Sequence, residues 1–86
     1  EWTRDDAQLE AFVRNFCKTV YHPVGSCRMG PSPQDAVTDP QLRVHGFEQL
    51  RVIDCSVMPQ LTSGNTNAPT IMLAEKAVDL LLGAPQ

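Results

Sequence analysis

The chain has 86 residues, 42% of them hydrophobic, with seven prolines, five glycines and a formal net charge of −3. At this length it forms one small domain at most and buries only about 60% of the surface its unfolded chain exposes, which excludes a large core of its own. The acidic balance, the lack of a basic run and the single Trp and single Tyr argue against nucleic acid as a partner.

Thr3, Arg4, Asp5 and Asp6 open a first helix, with Thr3 as its cap, Asp6 at the capping-box position and both acids at the positive end of the helix dipole. Leu9, Phe12, Val13, Phe16 and Val20 recur at steps of three and four as one apolar stripe, which carries the helix to about Thr19. Residues 1–19 therefore read as a supporting helix whose stripe needs something to pack against. From Tyr21 to Gly30 the chain is a shaped loop: Pro23 ends the helix and pushes His22 out of the α region, and Gly25 and Gly30 permit sharp or left-handed turns. His22 has two readings, a packed structural residue or, because imidazole titrates near neutral pH, an acid–base group.

Residues 31–40 form a proline-punctuated surface connection. Leu42, Arg43 and Val44, and then Leu50, Arg51, Val52 and Ile53, alternate apolar and polar side chains around a turn containing Gly46. This pattern predicts two short strands, paired as a hairpin or as neighbours in a sheet. Arg43 and Arg51 are expected to be exposed or ion-paired. Asp54, Cys55 and Ser56 follow the second strand directly, where open α/β folds place ligand contacts, although an Asp there equally caps a following turn.

A small polar loop from Ser63 then enters the strongest helix start in the chain, with Asn67 as candidate N-cap and Pro69 in the first turn. The helix is apolar nearly all round to Leu82, wants burial on several sides and stops at Gly83. Its N-terminus, reached by Asn65 and Asn67, carries orphan N–H groups and about half a positive charge, which suits an anion or an electron-rich ring atom.

Cys17, Cys27 and Cys55 lack the paired spacing of structural zinc sites, so no metal is expected, and the thiols read as inert in a reducing compartment. No apolar run approaches the ~20 residues of a membrane span, and the first residues lack the pattern of a signal peptide. A cytoplasmic setting is favoured.

Five segments, in this order and spacing, resemble the carboxyl-terminal region of the glucose–methanol–choline (GMC) oxidoreductases: His22 to Gly30 (HPVGSCRMG), Asp39 to Gly46 (DPQLRVHG), Leu50 to Pro59 (LRVIDCSVMP), Asn65 to Pro69 (NTNAP) and Met72 to Ala77 (MLAEKA). The resemblance covers about Val20 to Leu82. It implies an α/β fold of which this chain is an α+β fragment, with two main helices, short strands and long loops. Residues 20–86 would be the catalytic and flavin-site segment, and an amino-terminal FAD-binding portion is absent from this chain. The implied cofactor is FAD and the implied substrate a small-molecule alcohol.

By the same resemblance His22 stands at the family's catalytic histidine, and Asn65 at its second catalytic position, which is His or Asn in different members. Asp54 and Cys55 would approach the FAD pyrophosphate and ribityl region, Cys55 through its backbone N–H. Asn67, Ala68, Pro69 and Thr70 would line the flavin's pyrimidine edge. Cys55 departs from the alanine of the usual motif. No GxGxxG occurs, so the phosphate-binding turn is missing and the chain alone is not expected to hold FAD tightly. The expected partner is an amino-terminal FAD-binding polypeptide, from the same precursor or a separate chain.

Alcohol oxidation at flavin N5 requires a base within hydrogen-bond reach of the hydroxyl, a role for His22, while Asn65 can hold the same oxygen without titrating. Two alternatives remain beside the oxidase or dehydrogenase reading. One keeps the architecture with altered chemistry, as in hydroxynitrile lyases and light-driven fatty-acid decarboxylases. The other is a non-catalytic module that docks through its last helix.

Overall fold

Residues 5–83 are described by the computed structural model. Asp5 opens the first helix: its backbone is extended, and its side chain accepts a hydrogen bond from the Ala7 N–H at 3.0 Å. Helix α1 then runs Asp6–Phe16. Asp5 is thus its cap, whereas Thr3, the expected cap, lies outside the described residues. The helix stops before Thr19 because the chain turns extended at Cys17, and the Thr19 hydroxyl accepts the Tyr21 N–H at 3.0 Å, a local turn that competes with helix. Glu10 and Arg14, one turn apart, form an exposed ion pair at 2.7 Å.

The apolar stripe of α1 consists of Leu9, Phe12, Val13 and Phe16, whereas Val20, its expected last member, lies beyond the end of the helix. Its Phe12 and Phe16 rings lie 4.9 Å apart between centroids, yet they remain 59% and 66% exposed and no residue of α1 is buried.

The two expected strands are corrected to isolated pairings. Met29 bridges Thr38 in parallel, Thr38 bridges Val44 antiparallel, and Arg43 bridges Arg51 antiparallel. The hairpin keeps two backbone bonds, Val44 N–H to the Leu50 carbonyl at 2.9 Å and Val52 N–H to the Leu42 carbonyl at 3.1 Å. Longer pairing is blocked by backbone geometry, since Leu42 and Gln49 take left-handed φ values of 66° and 58°. Leu42 is driven there by the turn at Asp39. That carboxylate accepts from the Gln41 N–H at 2.8 Å and the Arg43 N–H at 3.0 Å, and binds the Arg43 guanidinium at 2.7 Å.

Thr38, fully buried, ties this crossing together by donating its hydroxyl to the Cys27 carbonyl at 3.3 Å. The core beneath it is Leu42, Val57 and Ala77, with Met29, Val52, Ile53 and Leu73 packed around them.

Ile53 leads into a single 3₁₀ turn, Cys55–Val57, which Asp54 caps by accepting the Ser56 N–H at 2.8 Å. The loop carrying His22 is laced to this turn by Cys27 N–H to the Ser56 carbonyl at 3.0 Å and Met29 N–H to the Val57 carbonyl at 2.8 Å. Helix α2, Asn67–Leu82, packs on the same turn and ends at Gly83, whose φ of 67° closes the helix as expected. α1 packs on neither.

Candidate functional site

The site is built where α2 begins. Thr66, not Asn67, occupies the N-cap position, and Asn67 is the first helical residue. The helix starts one residue early because the Thr66 carbonyl already accepts from Thr70, from its N–H at 3.0 Å and from its hydroxyl at 2.6 Å. Pro69 tolerates this register because its missing N–H falls in the first turn, where no intrahelical acceptor exists.

Thr66 makes no side-chain capping bond. Its hydroxyl, on a residue only 7% exposed, lies 3.3 Å from Nδ1 of the half-buried His22. Nothing in the alternation or composition marks Thr66. The signals available in sequence are its good N-cap propensity and its place between two asparagines.

A second tie holds the His22 loop. The Cys55 thiol donates to the Pro23 carbonyl at 3.5 Å, next to His22 in the chain. Gly25, at φ 93°, lets the loop turn beneath it, and a Cβ there would sit 3.5 Å from the Met58 carbonyl. The structure thus brings together the His22 loop, the 3₁₀ turn at Cys55 and the N-terminus of α2.

Around this junction Asn65, Asn67 and Ala68 are exposed, Pro69 and Thr70 half-buried, Asp54 exposed and Cys55 half-buried. Asn65 flanks Thr66 in the chain but makes no hydrogen bond to His22 among the described residues. The Asn67, Ala68 and Cys55 N–H groups take no partner among the described residues, so they are free to donate to an incoming group. Three backbone donors at the positive end of a 16-residue helix and at a capped turn match the needs of an electron-rich or anionic ligand.

Hydrogen bonds from the Ser56 side chain and N–H hold the Asp54 carboxyl below its ordinary range. At Asp39 partial burial pushes upward, but hydrogen bonds from Arg43 and Gln41 and the Arg43 charge outweigh it, and the net direction is again down. Both are carboxylates at neutral pH.

An open hollow of about 590 Å³, lined by Asp39 and residues 43–51, lies apart from His22, Cys55 and the start of α2 and contains none of the sequence-predicted site residues. The three cysteines are free thiols. Among the described residues no group of three or more His, Cys, Asp or Glu could hold a metal ion, and no helix is long and apolar enough to cross a membrane.

A family model described as GMC oxidoreductase matches residues 2–74. Mitochondrial choline dehydrogenase of Homo sapiens is 54% identical over 83 residues, 95% of this chain and 14% of that protein. Alcohol dehydrogenase [acceptor] of Pseudomonas putida is 51% identical over 80 residues, 93% of this chain and 14% of that protein. Among solved structures, pyridoxine 4-oxidase from Mesorbium loti superposes with a TM-score of 0.82 at 34% identity, over 99% of this chain and 16% of that one. The chain therefore spans about one seventh of the length of the curated relatives it matches.

Proposed function

The chain belongs to the GMC oxidoreductase family, and from that premise we propose that the complete protein is an FAD-dependent alcohol oxidoreductase to which this segment contributes the catalytic base and part of the flavin-site wall. The complete protein takes an α/β fold. Its amino-terminal portion grips the FAD phosphates, because no glycine-rich phosphate turn lies in this chain. Residues 20–86 form the catalytic segment, and α1, which packs on neither the 3₁₀ turn nor α2, turns its exposed apolar stripe toward the amino-terminal portion.

The observation that carries this reading is the half-buried His22 held at the N-terminus of α2. Imidazole has a basicity suited to taking a hydroxyl proton near neutral pH. Asn65, exposed beside that junction, holds the same alcohol oxygen through its amide and supports the negative charge that grows on it. FAD, when bound, supplies the hydride acceptor. The free N–H groups of Asn67, Ala68 and Cys55 fit its electron-rich edge and phosphates, with Pro69 and Thr70 shaping the first turn and Asp54 fixing the turn that presents Cys55. The relatives, two dehydrogenases and an oxidase, support the reaction class.

The test is anaerobic mixing of the complete protein with alcohols while following absorbance near about 450 nm, where oxidised flavin absorbs. Bleaching is expected, slowed roughly 10²- to 10⁴-fold in His22→Gln. A lyase would leave the absorbance unchanged, and a His22→Gln protein that bleached at the normal rate would remove the base from this segment.

A further inference from the structure

We propose that Thr66 is a positioning residue for His22: its Oγ1 accepts the Nδ1–H of the imidazole and so keeps Nε2 as the lone-pair nitrogen that takes the alcohol proton. This inference rests on the reading of His22 as the base.

Three observations converge on it. A threonine at an N-cap ordinarily accepts from the N–H of the second or third helical residue. Here the third helical residue is Pro69, which has no N–H, and Thr66 itself lies at φ −80°, ψ −5°, outside the extended region of capping residues. Its hydroxyl is thereby released from the helix and meets His22 Nδ1 at 3.3 Å. Second, Thr66 is nearly buried and its carbonyl is clamped by both the N–H and the hydroxyl of Thr70, so its position is fixed.

The third is chemical. A hydroxyl oxygen accepts from Nδ1–H whether the ring is neutral or protonated, so the contact survives the proton transfer in which the alcohol O–H bond breaks and an Nε2–H bond forms. The chain's other histidine serves as a contrast. His45 places Nε2 3.0 Å from the Gly30 carbonyl, which can only accept, so His45 carries its proton on Nε2. The two histidines are assigned opposite tautomers.

The experiment uses the complete holoprotein. With ¹⁵N-labelled histidine, the His22 signals are identified by their loss in His22→Gln. The neutral ring is expected to be protonated at Nδ1, and at Nε2 in Thr66→Val. The kcat/KM for alcohol should fall about tenfold in Thr66→Val, carried by kcat rather than KM, and Thr66→Ser should restore it to within about threefold, the scale of one hydrogen bond. In a His22→Gln background Thr66→Val should cost nothing further, whereas a merely structural threonine would cost the same in both backgrounds.

A wild-type His22 protonated at Nε2 overturns the proposal and needs no variant to fold. So does a Thr66→Val protein with wild-type kcat/KM beside an impaired His22→Gln. Full activity of His22→Gln instead overturns the base reading, whichever tautomer is found.

Discussion

Asp39 and Asp54 serve the same purpose at two turns, accepting backbone N–H groups that would otherwise point into loops, and both titrate below the usual carboxylate range. A carboxyl whose pKa is lower folded than unfolded contributes stability that is present above the unfolded value, 3.8 for Asp39, and is lost as pH falls through the folded value. Asp39→Asn should therefore lower the melting temperature at neutral pH. Its gap from the wild type should narrow below pH 3.8 and close in stronger acid. A gap independent of pH would mean that the Asp39 charge contributes nothing to this turn.

Asn65 permits a sharper residue-scale test of the site. In the proposed site Asn65→His would keep a hydrogen-bonding ring at the alcohol oxygen, whereas Asn65→Asp would set a like charge against the growing alkoxide. Flavin reduction by alcohol in the complete protein should be at least about tenfold slower in Asn65→Asp than in Asn65→His, a difference of roughly 1.4 kcal/mol in barrier. Equal rates would remove Asn65 from contact with the substrate oxygen.

At the scale of elements, the two helices were legible because their signals are local. The period of Leu9, Phe12, Val13 and Phe16, the acids at the start of α1 and the glycine after Leu82 all act within a turn or two of where they stand. The strands failed because alternation at Leu42, Arg43 and Val44 describes side chains, whereas the backbone there answers to the Asp39 turn and its left-handed Leu42. Thr66 was illegible for a further reason, since its partner His22 lies 44 positions away and its freedom from capping depends on the helix register. Only the linked motifs, not periodicity, joined His22 to the start of α2.

The loop that carries His22 has one tight passage, at Gly30, where a Cβ would sit 2.9 Å from Ala36 Cβ. Gly30→Ala should destabilise the complete protein by about 1–3 kcal/mol, as overpacking does. Gly64→Ala, where a Cβ meets nothing within 4 Å, should lie within about 0.5 kcal/mol of the wild type in the same denaturation experiment. Equal effects would show that the loop yields at Gly30.

The whole molecule exposes more than its mass warrants. A compact protein of 9.5 kDa exposes about 5,000 Å², against 7150 Å² here. Its radius of gyration is 17.9 Å, where a compact 86-residue domain has about 12 Å. Large apolar side chains are left uncovered on both helices and in the loops: Phe12, Phe16, Ile71, Met72 and Leu82 are exposed, as are Tyr21, Phe47 and Leu61, and the core is confined to a few residues beneath the Asp39 turn. An 11-residue helix with no buried residue has little to hold it, because isolated helices shorter than about 12–15 residues are marginal in water. The isolated chain should therefore melt broadly by circular dichroism, with α1 amides exchanging nearly as fast as in a free peptide. Within the complete protein the same amides should be protected and α1 should unfold with the rest, since its stripe is then covered. A sharp cooperative melt of the isolated chain, with protected α1 amides, would mean that this segment stabilises itself and that its apolar faces need no amino-terminal portion to cover them.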